Sequence, residues 1–180
     1  MYQITTERPE DGPAIELLLD QAFGANRQSK ISYRYREGVA PATGLSLVAR
    51  TAAPAPERPI GSLRFWPVAI GPLARQALLL GPLAVTPDRQ GHGIGGALVR
   101  QGLDMATWAR HRLVLLVGDL AYYGRFGFRP AAPLGLVMPD ECPERLLACA
   151  LAPGALAGVG GVILPWRTVR RAGSRAARAA

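Results

Sequence analysis

The sequence predicts a mixed α/β (α+β) fold in a single domain. First, 180 residues suit one domain of ordinary size with a real core. Second, 49% apolar and 19% charged residues are typical of a globular protein. Third, strand-like apolar runs are interspersed with helical patterns, and no internal repeat or linker divides the chain.

The first part of the chain predicts a strand followed by a helix. Residues 2–7 alternate in polarity as a strand does, and Pro9 opens a helical pattern that Gly24 ends. The acids Glu10 and Asp11 fall in its first turn, where they complement the helix dipole. Apolar residues recur at helical spacing and predict a core-facing side: Ile15, Leu18, Leu19 and Ala22. Residues 26–37 are polar with interleaved tyrosines and predict a short helix or a loop.

Three strands are predicted next, over residues 44–51, 60–70 and 76–86. The third, QALLLGPLAVT, is apolar throughout and is typical of a strand buried on both faces. Because proline has no N–H to donate, the pairing of this strand must break or bulge at Gly81-Pro82.

The remaining elements continue the mixed pattern. Residues 91–110 predict an amphipathic helix, and LVLLVGD, 113–119, predicts another buried strand. LAYYGRFGF predicts a short helix that ends at Gly127. Residues 144–152 fit a strand or a helix, and residues 160–166 predict a last strand.

Composition and charge narrow the classes of function. No apolar run reaches the roughly 18 residues that span a bilayer, and the polar N-terminus resembles no signal peptide. Cys142 and Cys149 fit no metal or redox motif, so we expect no metal site and a cytoplasmic location. The formal net charge is +8, and five arginines fall within residues 167–180. Such a segment is typical of a mobile tail, and nucleic acid binding through it is a minor hypothesis.

The stretch GHGIGG, residues 91–96, has the spacing of a dinucleotide-binding turn. A buried strand precedes it, and Asp119 follows at about the distance at which that fold places an acid. However, five residues separate Val85 from Gly91, whereas a dinucleotide turn begins almost at the strand end. The turn also lies in mid-chain, and the residues after it lack the repeated strand–helix alternation of a doubly wound sheet.

A second interpretation is a helix N-terminus that holds a pyrophosphate directly. The first backbone N–H groups of a helix are free, and the helix dipole favours anions there. Glycines let the backbone approach a ligand closely, and the Gln90 side chain can donate another hydrogen bond. This interpretation does not require the dinucleotide register.

Two motifs resemble the GCN5-related N-acetyltransferases, the GNAT family. Val85, Pro87, Gln90, Gly93 and Gly95 realise V-x-P-x-x-Q-x-x-G-x-G, which resembles the acetyl-CoA signature of that family. AYYGRFGF, residues 121–128, is similar to the family's Y-x-x-x-G-F element. The order of predicted elements resembles that of the family over residues 2–131, and the resemblance extends to residue 166. The resemblance implies residues 1–166 as the acetyltransferase domain, with a mostly antiparallel sheet that is split at the cofactor strand and flanked by helices.

The resemblance also implies acetyl-CoA as the acyl donor and assigns residues to it. The main chain beside the predicted bulge would pair with the pantetheine arm, and the loop amides would cradle the pyrophosphate. The residues assigned to acetyl-CoA in this way are Leu83, Ala84, Val85, Gln90, Gly91, His92, Gly93, Ile94, Gly95 and Gly96.

Tyr123 holds the family position of the general acid, four residues before Gly127, and Tyr122 is the alternative if the register shifts by one. A general base is not apparent, because the strand 76–86 contains no acid. Asp119 lies near the expected cleft, although capping the next helix explains it better. Glu37 and His111 have no positional support, and a water relay would need no named base.

The function implied is transfer of an acetyl group to a primary amine of an unidentified small molecule or peptide. The alternative is a non-catalytic acyl-CoA-binding or regulatory protein, suggested by the absent strand acid. We expect neither a membrane nor a nucleic acid as partner. Because many members of the family form dimers, the resemblance favours a homodimer.

Overall fold

The computed structural model describes residues 1–52 and 57–168. Within these ranges the chain forms three α-helices: α1, Gly12–Phe23; α2, Ile94–Trp108; and α3, Leu120–Tyr123. It also forms nine strands: β1, Tyr2–Thr6; β2, Leu47–Thr51; β3, Pro59–Ile70; β4, Arg75–Val85; β5, Leu113–Val117; β6, Arg129–Pro130; β7, Leu136–Val137; β8, Leu146–Ala150; and β9, Gly161–Pro165.

The strands form a mixed sheet in the order β1-β2-β3-β4-β5-β8-β6, with β9 also paired to β3 and β7 to β9. Along that path every pairing is antiparallel except β4–β5, which is parallel. This confirms the mostly antiparallel sheet that the family resemblance implied.

The sheet splits along β4. Strand β4 pairs with β5 only at Leu78 and Leu79, so its following residues, 80–85, leave the β5 edge. At the same point β4 bulges against β3: Phe65 faces Leu80 and Leu63 faces Leu83, so β4 carries one extra residue. The predicted bulge at Gly81-Pro82 is therefore confirmed, and this peptide bond is cis. The carbonyl of Gly81 is not orphaned, because the Trp66 indole donates to it at 2.7 Å.

The helices α1 and α2 cover opposite faces of the sheet. Successive strand side chains point to opposite faces. Leu47 and Ala49 pack in the cluster that contains the buried side of α2, whereas Val48 and Ala84 pack with α1. Ile15, Leu18 and Leu19, predicted as core residues of α1, are buried on its side of the sheet, and Ala22 packs partly buried against them.

The structure also corrects and extends the element predictions. Residues 144–152, which fitted a strand or a helix, contribute β8. Residues 25–29 and 31–35 form two short 3-10 turns, and the two-residue strands β6 and β7 were not predicted. Of the arginine-rich segment, only residues 167 and 168 are described, and the predicted tail otherwise lies outside the described residues.

Asp11 lies in the first turn of the helical segment that begins at Pro9, as predicted, and it also forms a buried ion pair. Its carboxylate is buried, accepts from the Arg50 guanidinium (2.8 Å to Oδ1) and from the Arg8 amide (2.6 Å), and does not cap α1. The hydrogen bond from Arg50 lowers the pKa of Asp11. This ion pair ties the start of α1 to β2.

Candidate active site

The N-terminus of α2 presents free backbone amides to an open groove. Gly91 and Gly93 have φ of +78° and +79°, the left-handed conformation that glycine favours. No side chain caps the helix, and the amides of Ile94, Gly95 and Gly96 have no acceptor within the described residues. Uncapped amides at a helix N-terminus are suited to binding an anion.

The groove in front of these amides, here the phosphate groove, measures about 530 Å³. A Cβ on Gly91 or Gly93 would meet no atom within 4 Å, so the space beside the loop is open. Arg89 and Arg125 supply positive charge at its wall. The complete lining is Leu83, Val85, Arg89, Gln90, Gly91, Gly93, Ile94, Gly95, Gly96, Tyr122 and Arg125.

Most residues assigned to acetyl-CoA line this groove, but two do not. The side chain of Ala84 is buried on the α1 side of the sheet, so only its backbone is available. His92 is absent from the groove lining, and its Nδ1 lies 2.8 Å from the Gln90 carbonyl oxygen. Gln90 lines the groove, although its side-chain amide donates to the Val85 carbonyl at 3.2 Å.

A second cavity, here the central cavity, occupies the split between β4 and β5. It measures about 360 Å³ and shares Leu83 with the phosphate groove. Tyr123 lines it, opposite the bulge of β4. The complete lining is Phe23, Lys30, Ile31, Ser32, Tyr33, Arg36, Leu79, Leu80, Gly81, Pro82, Leu83, Val117, Tyr123, Glu141 and Arg145.

The two adjacent tyrosines face different cavities. Tyr122 lines the phosphate groove, where its hydroxyl lies 2.9 Å from the position that a Cβ on Gly95 would take. Tyr123 lines the central cavity and packs edge-on against Tyr122 and Phe128. Burial raises the pKa of Tyr123 to about 12, so its phenol is protonated at neutral pH.

A third cavity, here the outer cavity, measures about 250 Å³. It shares Tyr33, Arg36 and Pro82 with the central cavity. Its complete lining is Glu16, Leu19, Arg27, Gln28, Tyr33, Arg36, Glu37, Arg64, Trp66 and Pro82. The phosphate groove, the central cavity and the outer cavity therefore follow one another along β4.

The residues considered as a general base lie in different places in the structure. Asp119 caps α3, accepting from the Ala121 amide at 2.9 Å, as the sequence favoured. Glu37 pairs with Arg167 at 3.0 Å and lines only the outer cavity, and His111 lines none of the three cavities. Glu141, which the sequence gave no reason to select, is the carboxylate in the lining of the central cavity.

The described residues contain neither a candidate metal site nor a candidate membrane-spanning helix. Among residues 1–52 and 57–168, no group of three or more His, Cys, Asp or Glu side chains is arranged to hold a metal ion. In the same part of the chain, no helix is both long and apolar enough to cross a membrane.

Comparison with known proteins points to one family. The family model for the acetyltransferase (GNAT) domain matches residues 43–130. The uncharacterized N-acetyltransferase YhbS of Escherichia coli strain K12 is 32% identical over 161 residues, which is 89% of this chain and 93% of that protein. The uncharacterized N-acetyltransferase YjhQ of the same strain is 31% identical over 142 residues, covering 77% of this chain and 76% of that protein.

Solved structures agree with the sequence relatives. The crystal structure of E. coli YhbS in complex with CoA matches with a TM-score of 0.78 at 30% identity, covering 94% of this chain and 92% of that chain. A GNAT family acetyltransferase from Brucella melitensis in complex with acetyl-CoA matches with a TM-score of 0.65 at 32% identity, covering 85% and 90%.

Proposed function

Because this chain belongs to the GNAT family of acetyltransferases, we propose that it transfers the acetyl group of acetyl-CoA to a primary amine by direct attack, with Tyr123 as general acid. As members of this family, the chain and its relatives are acyltransferases. The acceptor, the direct attack and the role of Tyr123 are the parts that we add.

The succession of cavities along β4 carries this proposal. The phosphate groove offers helix amides and arginines to the pyrophosphate end of acetyl-CoA. Leu83 borders both this groove and the central cavity, so a pantetheine arm laid along β4 would bring the thioester beside Tyr123. The outer cavity then opens a separate approach for the amine, past Pro82.

Tyr123 would act on the leaving sulfur. As the amine nitrogen bonds to the thioester carbon, the carbon–sulfur bond breaks and the sulfur takes up the electron pair. The phenol of Tyr123 is protonated and donates its proton to that sulfur. The nitrogen loses one proton to a water or a carboxylate, so the overall transfer conserves protons once Tyr123 is reprotonated.

We propose Glu141 as the candidate general base. It is partly buried and borders the same cavity as Tyr123. It is not engaged in an ion pair within the described residues, although its Oε1 accepts from the Cys142 amide at 3.1 Å. A Glu141→Gln variant that lowers kcat and removes the acidic limb of the pH–rate profile would assign it.

Calorimetric titration is the first test of the donor. We expect saturable binding of acetyl-CoA and none of NAD or NADH. The reverse result would make GHGIGG a dinucleotide turn and would remove the roles given to Tyr123 and to Val85.

The second test concerns Tyr123. A general acid typically contributes 10²- to 10⁴-fold to a rate, so Tyr123→Phe should lower kcat at least about 100-fold with acetyl-CoA affinity unchanged. Tyr122→Phe is the matched control, because the adjacent ring lines a different cavity. Equal losses in both variants would refute the specific role of Tyr123.

One observation favours a second candidate, a non-catalytic acyl-CoA-binding protein. Strand β4 contains no carboxylate, and Asp119 is engaged as a helix cap. Tight acetyl-CoA binding without turnover across a broad panel of amines would support this candidate. We favour the enzyme, because Tyr123 lines the central cavity in the split of the sheet. The cytoplasmic location and the homodimer are further parts of the proposal, which rest on the sequence and on the family resemblance.

A further inference from the structure

Among the three arginines that line the outer cavity, Arg27, Arg36 and Arg64, only Arg36 has no acidic partner within the described residues. Its Nε and Nη1 atoms are excluded from solvent and have no hydrogen-bond partner within the described residues. By contrast, Arg27 pairs with Glu16 and Asp20 (2.7 Å to Asp20).

Arg64 is also paired. It bonds to Glu7 at 2.6 Å and to Glu16 at 3.3 Å. The carboxylates around the outer cavity are thus engaged by Arg27 and Arg64, or by Arg167, which pairs with Glu37. None of them neutralises Arg36.

The position of Arg36 is held by its surroundings. Its guanidinium stacks on the ring of Tyr33, 4.4 Å from the ring centroid. Its Nη2 lies 3.4 Å from the position that a Cβ on Gly81 would take, so it reaches the bulge of β4. It borders the central cavity and the outer cavity together.

A buried cation without a counterion is unfavourable, because its lost hydration is not replaced. Burial lowers the pKa of Arg36 to about 10, although its interaction with Tyr33 acts in the opposite direction. The side chain is nevertheless charged at neutral pH. An anion in either cavity would lie beside this guanidinium and supply the missing negative charge.

We propose that the acceptor is a primary amine that also carries a carboxylate or phosphate group, and that Arg36 binds this anionic group while the amine reaches the central cavity. The inference rests on the proposed function, since it names the acceptor class of the same site. Lys30 and Arg145 in the central-cavity lining add positive charge around the anion.

The test compares amines that differ only in the anionic group: L-ornithine with putrescine, L-tyrosine with tyramine, and O-phosphoethanolamine with ethanolamine. For at least one pair we expect the member with the carboxylate or phosphate to have a kcat/KM tenfold or more above that of the member without it. The carboxylate and phosphate pairs distinguish the two sources of negative charge. Titration of each amine, with and without CoA, measures binding independently of turnover.

Arg36→Gln should bring the ratio within each preferred pair close to one and leave the affinity for acetyl-CoA within twofold. Arg36→Lys, which keeps the charge, should restore part of the preference. Arg34→Gln is the matched control, since Arg34 is exposed and pairs with Asp140 at 2.9 Å. Thermal melting of each variant checks that the fold is retained.

Three results would overturn the inference: the amine without the anionic group preferred or equal in every pair, an Arg36→Gln variant that lowers both members of a pair equally, or no binding of any amine with a carboxylate or phosphate. Failure of the proposed function is a separate observation, because it is the loss of acetyl-CoA binding or turnover by the wild-type protein.

Discussion

Gly95→Ala tests whether the phosphate groove is the acetyl-CoA site. Gly95 lies in the first turn of α2 and its φ is not in the left-handed region, so alanine fits the backbone. The added Cβ would lie 2.9 Å from the Tyr122 hydroxyl, 3.7 Å from Val85 Cγ2 and 3.9 Å from Leu83 Cδ2. The methyl group therefore enters the groove between α2 and β4.

Gly95→Ala should affect the stability of the protein and its affinity for acetyl-CoA differently. Alanine stabilises a helix relative to glycine by about 1 kcal/mol, so the free energy of unfolding should be unchanged or slightly higher. Relieving the 2.9 Å contact requires Tyr122 to move, but its ring packs on Tyr123 and lies under the Arg125 guanidinium, 4.3 Å away. A methyl group between the pyrophosphate and the helix amides should weaken acetyl-CoA binding at least about tenfold, or about 1.4 kcal/mol.

Calorimetric titration measures the affinity, and chemical denaturation measures the stability. Gly12→Ala is the matched control, because it also lies at a helix start and its added Cβ would meet nothing within 4 Å. A Gly95→Ala protein that binds acetyl-CoA with wild-type affinity would refute this placement of the donor. A protein that loses both affinity and stability would show that the effect is not local.

Three further predictions concern the core, a buried ion pair and the pH profile. Gly102→Ala should lower the free energy of unfolding by about 1–3 kcal/mol in urea denaturation, because its Cβ would lie 2.7 Å from Phe65 Cε2 inside the core; an unchanged midpoint would contradict it. Asp11→Asn should lower the free energy of unfolding by about 1.5–3 kcal/mol in the same assay, because the buried Arg50 loses its hydrogen bonds to a charged carboxylate and keeps only Glu57 at 3.4 Å and Thr5 at 3.0 Å. Folding lowers the pKa of Asp11 below its usual value of 3.8. The stability from this ion pair is therefore fully present above pH 3.8 and is lost as the pH falls through the pKa of the folded state. The Asp11→Asn variant should lack this loss of stability in acid. Because the pKa of Tyr123 is about 12, its phenol should not cause a fall in kcat below about pH 11. Any such fall should therefore persist in the Tyr123→Phe variant. Its disappearance in the variant would show that Tyr123 ionises at a lower pH.

Elements with local chemical causes could be predicted from the sequence. Gly81-Pro82 predicts a bulge because proline cannot donate to the ladder, and the pairing of β3 with β4 shifts there. Gly127 ends the short helical segment with φ +86°. Residues 146–150 were ambiguous because a short apolar run lacks periodicity, and their pairing with β5, far away in sequence, makes them a strand.

Only the part of the candidate site that is local in sequence could be predicted. The phosphate groove could be located from the sequence because its amides lie within one loop and one helix turn, in consecutive residues. Glu141 and Arg36 had no such signal, since they reach the central cavity only through tertiary packing of segments more than 100 residues apart. Tyrosine and arginine alternate over residues 33–36, but alternation alone could not distinguish the exposed Arg34 from Arg36, whose Nε and Nη1 atoms are excluded from solvent.

The pairing of individual arginines with carboxylates bears on how the high positive charge of the chain is interpreted. A net charge of +8 is by itself compatible with a nucleic acid partner. In the described residues, however, the buried Arg27 and Arg50 are held by carboxylates and stabilise α1 against its neighbours. Their charge is neutralised internally and cannot attract a polyanion. Arg36 is not neutralised in this way, and it borders cavities of about 360 and 250 Å³, which suit a small anionic molecule and are too small for a nucleic acid strand. The unpaired Arg36 beside these two cavities, more than the net charge of the chain, therefore favours a small anionic acceptor.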